Sequence, residues 1–154
     1  MELKIIPIVQ VIIAIIIMTV IQHLVPTHYY SELINPAINF LLIMLLLSIA
    51  ISIVFFAIYS FRKHQTTVNP SKPETSSQVV DSGIYQYSRN PMYLAMLLAL
   101  IAYGCYLENP LTFLICGLFA WYISKYQIVP EERMLTKLFG QAYCTYKSNV
   151  RRWL

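Results

Sequence analysis

Uncharged apolar runs alternate with short polar segments along this chain. Ile5–Val25 and Pro36–Phe61 contain no Asp, Glu, Lys or Arg. Met92–Leu107 and Leu111–Ser124 form a second pair, split by Glu108-Asn109-Pro110. A helix that crosses a bilayer needs about 20 residues at 1.5 Å rise each. The first two runs are long enough, and the last two read as a helical hairpin whose second helix continues to about Val129. Backbone polar groups find no partner in lipid, so such runs must be helical. The expected architecture is all-α and membrane-embedded: four transmembrane helices, then short cytoplasmic helices at the C-terminus.

Composition agrees. The chain has 154 residues, of which 58% are hydrophobic and 12% charged, about half the charge of an ordinary soluble domain. The first run follows Lys4, but its apolar core is too long for a signal peptide and no small-x-small cleavage site follows it. It reads as a retained span. Charge placement gives orientation. The segment between spans one and two carries Glu32 and no Lys or Arg, and the hairpin turn carries Glu108 alone. Lys4, Arg62, Lys63, Lys72, Arg89 and the cations from Lys125 to Arg152 fall on the other side. By the positive-inside rule both termini and the long middle loop are cytoplasmic. The net charge of +4 is therefore a topology signal, and nucleic acid is excluded as a partner because no basic soluble module is present.

Cys105, Cys116 and Cys144 form no CxxC pair, and no His lies at metal-ligand spacing. No metal is expected, and Cys105 and Cys116 read as small core residues. Residues 1–154 read as one domain: two N-terminal spans over 1–61, a Ser/Thr/Pro-rich linker over 62–78, and a core over 79–154. Ala95 and Ala99 offer a small-xxx-small face for helix contact. The oligomeric state stays open.

Polar chemistry concentrates in VVDSGIYQYSRNPMY (79–93) and in the segment from Pro130 to the end. Each has an ordinary structural explanation. Asn90-Pro91 suits a helix start, as do Asn35-Pro36 and Asn109-Pro110. Arg89 can snorkel, and Tyr85, Tyr87 and Tyr93 can form an interfacial belt. Glu131 and Glu132 suit a first helical turn after Pro130. Gly140 suits a helix stop. Tyr143, Tyr146 and Val150 share one face of a last helix that ends in the anchors Arg151, Arg152 and Trp153. The hairpin nevertheless returns the chain to the same membrane face. The two segments must then meet, and a cluster of Arg, Tyr, Asn and Glu there is a site by default.

GIYQYSRNPMYLA, a hairpin, then EERMLTKLFGQAYCTYKSNVRRW resembles the membrane methyltransferases that act on isoprenylcysteine carboxyl groups and on phospholipid amines. Their pattern is G-x-Y-x-x-x-R-H-P-x-Y followed by E-E-x-x-L-x-x-x-[FY]-G-x-x-Y-x-x-Y. It is matched here by Gly83, Tyr85, Arg89, Pro91, Tyr93, Glu131, Glu132, Leu135, Phe139, Gly140, Tyr143 and Tyr146. The likeness covers 79–153, about half the chain. Asn90 stands where the family has His, and Gln127 where some prenylcysteine-acting relatives have Arg.

The resemblance implies S-adenosylmethionine as cofactor. It assigns Ser77, Gln78, Val79, Val80, Tyr85, Asn90, Pro91, Met92, Tyr93 and Glu131 to the cofactor, and Arg89 and Glu132 to catalysis. Glu132 is the expected proton acceptor if the nucleophile is an amine. A carboxylate nucleophile is already ionised and needs no base. The acceptor is a lipid or lipidated small molecule in the membrane, with carboxyl O-methylation favoured over phospholipid amine methylation. Two other readings stay open: a non-catalytic four-helix membrane adaptor on the same scaffold, and a fragment of a sterol-reductase-like enzyme, for whose further spans this chain has no room.

Overall fold

A computed structural model describes residues 6–26, 34–63 and 79–154. Among these residues there are helices and turns and no strand. Helix α1 runs Pro7–Leu24 and α2 runs Pro36–Lys63. A 3₁₀ turn, Gly83–Gln86, precedes α3, Pro91–Leu107. Helix α4, Thr112–Ile123, passes through a π-helical segment, Ser124–Ile128, into α5, Val129–Phe139. Helix α6, Gln141–Asn149, follows.

Three helices are long and apolar enough to cross a membrane: Pro7–Leu24, Pro36–Arg62 and Thr112–Phe139. Pro91–Leu107 is apolar but shorter. Many of the Ile, Leu and Phe side chains of α1 and α2 are exposed, among them Ile8, Ile16, Leu41, Ile51 and Phe55. Water would not tolerate so large an apolar surface, whereas hydrocarbon does.

Helix α3 is the centre of the bundle, packing against α1, α2 and α4. Met18, Leu100, Phe119, Ile123 and Ile128 form the core between α1, α3 and the long last helix. The contact is close at Gly104, where an added Cβ would lie 3.1 Å from Thr112 Oγ1 and 3.2 Å from Phe113 Cε1. Cys105 and Cys116 are buried among these residues, as small core residues should be. Ala95 is also buried within the chain, so that position is not open to a second copy.

The bundle has two distinct ends. At one, Asn109 Nδ2 donates to Gln22 Oε1 (2.9 Å) and to the Val25 carbonyl (2.8 Å). Asn39 Nδ2 donates to the Cys105 carbonyl. This end joins the C-terminus of α1, the N-terminus of α2 and the hairpin turn. The other end gathers Phe61, Val80, Tyr85, Tyr143 and Tyr146 into a second cluster. Arg89, Lys147 and Arg152 gather at that end.

Three local readings need correction. The Asn-Pro starts are not equivalent. Asn35 is a true cap, its Oδ1 accepting from Ala37 N at 2.9 Å. Asn90 holds the cap position but makes no side-chain cap bond. Asn109 makes the same kind of bond as Asn35, its Oδ1 accepting from Leu111 N at 3.0 Å just before the helix that begins at Thr112, while its amide nitrogen ties the hairpin to α1.

The last span does not stop near Val129. It continues to Phe139, and Glu131 and Glu132 lie in the first turn of its final segment, Val129–Phe139, as expected. Proline inside a helix lacks the N–H and crowds the carbonyl four residues back. Here Pro130 follows the wider π turn, where Val129 N bonds the Ser124 carbonyl five residues back. Finally, Arg152 and Trp153 are not outward anchors: Arg152 pairs with Glu132 and Trp153 packs on the core.

Gly140 ends α5 as expected, with φ +54°. Gly83 is the other position where glycine is required. Its φ is +61°, and an added Cβ would lie 2.7 Å from Ser60 Oγ.

Candidate active site

The first polar block is held from behind by the C-terminal residues. Arg89 N donates to the Arg151 carbonyl at 3.0 Å. Asn90 Nδ2 donates to the Arg152 carbonyl at 2.9 Å, and Ser88 Oγ reaches the same oxygen at 3.4 Å. Tyr146 OH donates to the Tyr85 carbonyl at 2.8 Å. The amide of Asn90 is thus engaged with the C-terminal segment. Tyr143, Tyr146 and Val150 do share one face, and it packs on Tyr85, Val79 and Val80.

Burial, above all, keeps these phenols neutral. It pushes Tyr143 up to about 12, with Glu132 adding to the rise. Tyr85 and Tyr146 are raised further, again mainly by burial. All three therefore stay protonated, and Tyr146 and Tyr143 serve as hydrogen-bonding groups, to the Tyr85 carbonyl and to Arg89.

The two acids of the second block have different surroundings. Successive residues on a helix point about 100° apart. Glu131 meets α3: its Oε1 accepts from Tyr93 OH at 2.5 Å and from Gln127 Nε2 at 2.7 Å. Both donors are neutral, and no cation pairs with Glu131 among the described residues. The π turn contributes here, because it widens the helix between Ser124 and Ile128 and carries Gln127. π turns are frequent at functional sites.

Glu132 is buried and surrounded by cations. Arg152 grips it with two prongs, Nε to Oε1 at 3.1 Å and Nη2 to Oε2 at 2.9 Å. Lys147 Nζ lies 3.2 Å from Oε2 and Arg89 Nη1 lies 3.1 Å from Oε1. A carboxylate held by three cations is a poor proton acceptor. The base role expected of Glu132 does not fit this geometry. Its position is that of an anchor joining Arg89 in the first block to Lys147 and Arg152 in the last.

Ser77 and Gln78 lie outside the described residues. Val79 is half-buried, Val80 and Tyr85 are buried, and Pro91, Met92 and Tyr93 form the first turn of α3. The Tyr85 ring meets Phe61 edge-on at 5.2 Å. Tyr85 and Tyr93 are interior, while Tyr87 is exposed. The structure thus brings Tyr93 to Glu131 and Arg89 to Glu132, as the returning hairpin requires. It adds Gln127, Lys147 and Arg152 to the site. Of these, sequence reading noted Gln127 only as a departure and took Arg152 for an anchor.

A family model described as phospholipid methyltransferase matches residues 38–142, more than half of the chain. The chain belongs to the phospholipid methyltransferase family. Among curated proteins, this family member is 44% identical over 63 residues to an uncharacterized protein of Haemophilus influenzae, covering 41% of this chain and all of that protein. It is 33% identical over 72 residues to a protein-S-isoprenylcysteine O-methyltransferase of Dictyostelium discoideum. It is 32% identical over 80 residues to the Saccharomyces cerevisiae protein of the same description. These two alignments cover 47% and 52% of this chain and only 30% and 34% of the relatives. No solved structure matches it. The findings support a membrane methyltransferase.

Proposed function

We propose that the chain uses S-adenosylmethionine to methylate a lipid-like acceptor held in the membrane. The observation that carries this reading is the carboxylate of Glu131. It is joined to α3 through Tyr93, flanked by neutral donors only, and free of any cation among the described residues. A half-buried carboxylate in that state is incomplete without a ligand donor. The cofactor's ammonium and ribose hydroxyls are donors of the required kind. When bound, the cofactor supplies an electrophilic methyl group on a positively charged sulfur.

The protein's part is to bind, orient and exclude water. Glu131 accepts from the cofactor, with Tyr93 and Gln127 fixing its rotamer. Val79, Val80 and the Tyr85 ring supply apolar wall, and the family resemblance adds Ser77 and Gln78 to the cofactor's contacts. Pro91 and Met92 bring the start of α3 against it. Asn90 and Arg89 contribute by holding the C-terminal segment across the site. Most of the rate then comes from alignment and desolvation. Four helices span the bilayer, Pro91–Leu107 as a short fourth one beside longer neighbours, with the site and both termini on the cytoplasmic face.

Calorimetry of the purified chain in detergent, with S-adenosylmethionine and its demethylated product, tests the reading. Saturable binding of both is expected, and no binding of either would leave the non-catalytic adaptor. The names of the two aligned methyltransferases favour a prenylcysteine-type carboxyl acceptor. The family description favours a phospholipid amine. Transfer of labelled methyl to a prenylcysteine analogue and to phosphatidylethanolamine vesicles separates the two, since a methyl ester is base-labile and an N-methyl group is not.

A further inference from the structure

Arg152 grips Glu132 with both prongs, and although the Arg89 guanidinium also bonds Tyr143, two of its donor nitrogens, Nε and Nη1, are left without a hydrogen-bond acceptor. Arg152 Nε and Nη2 take one oxygen each, and Lys147 shares Oε2. Arg89 Nη1 is close to Oε1 at 3.1 Å, yet it makes no hydrogen bond there. Arg89 Nε makes no hydrogen bond either. The side chain is only 8% exposed, so water does not compensate it. Buried guanidinium donors without acceptors are rare enough to call for a ligand. Charge points the same way. Arg89, Lys147 and Arg152 surround one carboxylate, and counting Glu131 as well still leaves one positive charge in excess. Lys147 and Arg152 are 44% and 35% exposed, so the cluster has an open rim beside the buried arginine.

We propose that Arg89, with Lys147 and Arg152 at its rim, is an oxyanion subsite that takes a carboxylate or a phosphate. A planar guanidinium matches either group through two parallel N–H donors. The subsite is built around Glu132, whereas the neutral-donor site is built around the adjacent Glu131. Together the two accept a molecule carrying an ammonium and an anion. Two sources have that chemistry: the amino acid end of the cofactor, and the anionic group of the acceptor. The assignment of a source rests on the proposed function, whereas the subsite itself does not.

The experiment uses the full chain in detergent and two kinds of probe. Thermal unfolding is measured in sodium phosphate and in sodium chloride of equal ionic strength. Phosphate is expected to raise the Tm saturably above chloride, and Arg89→Lys, which keeps the charge but loses the fork, is expected to remove that gain. Should Arg89→Lys fail to fold, the unmodified chain still decides by calorimetry with S-adenosylmethionine and its decarboxylated form. Roughly ten- to a hundredfold weaker binding of the decarboxylated form assigns the subsite to the cofactor's carboxylate. Equal binding, with phosphate still stabilising, assigns it to the acceptor's anion. Phosphate stabilisation with neither cofactor form bound upholds the subsite and overturns the methyltransferase reading. No gain from phosphate together with equal binding of the two cofactor forms overturns the subsite.

Discussion

Replacing Glu132 by Gln tests whether that residue anchors the site or acts as a base. The change removes one negative charge and keeps the shape. Three cations lose their common partner, and their losses are unequal. Lys147 and Arg152 retain access to water, so each contributes about 0–1 kcal/mol, as exposed pairs do. Arg89 is nearly fully buried and would become an uncompensated buried charge, a loss of roughly 3–5 kcal/mol where one partner of a buried pair is removed. The expected destabilisation is therefore about 3 kcal/mol or more, dominated by Arg89. At roughly 2–4 °C per kcal/mol for a chain of this size, Tm falls by about 6–12 °C. The assay is thermal unfolding in one detergent for Glu132→Gln, Arg89→Gln and the double variant. Because the buried charge is gone in the double variant, its loss should be smaller than the sum of the single losses by more than about 1 kcal/mol. A Tm for Glu132→Gln within 2 °C of wild type, or strictly additive losses, would refute the anchor reasoning and return Glu132 to the role of base.

Three further outcomes follow. Glu131→Gln removes a charged acceptor and is expected to weaken S-adenosylmethionine binding by roughly 1.5–3 kcal/mol, or about one to two decades, by calorimetry at matched stability; an unchanged affinity would shift the weight to the adaptor reading. Gly83→Ala forces a side chain into positive φ and against Ser60 Oγ, so a loss of about 1–3 kcal/mol is expected in denaturant titration, and a neutral result would mean that the turn relaxes freely. Cysteines placed at Glu32 and Glu108 should react with an impermeant thiol reagent from outside, while one at Ser71 should not; labelling of Ser71 would reverse the proposed orientation.

Hydrophobic periodicity and charge asymmetry were enough to give an all-helical membrane chain, because run length and the absence of charge depend on local sequence alone. The return of the hairpin also followed, and with it the meeting of Tyr93 with Glu131 and Arg89 with Glu132. The Asn-Pro dipeptides show where local reading ends. One sequence signal led to the same Oδ1 bond two residues on at Asn35 and Asn109, but the amide nitrogen of Asn109 also ties two helices, and that of Asn90 bonds a distant carbonyl with no cap at all. A short amide bonds whichever group the fold brings near it, and its neighbours in sequence do not determine that group.

The two acids differ for the same reason. Glu131 and Glu132 are adjacent and chemically alike, and a first-turn dipole treats them alike. Only the rotation of α5, set by the π turn at Ser124–Ile128, aims one at Tyr93 and the other at three cations. The inward turn of Arg152 could not be read locally either, since basic residues beside a Trp at the end of an amphipathic helix suit a membrane surface equally well. Tertiary structure decided it, because it buries Glu132 beside Arg89 and so presents a carboxylate that the Arg152 guanidinium can hold with two bonds.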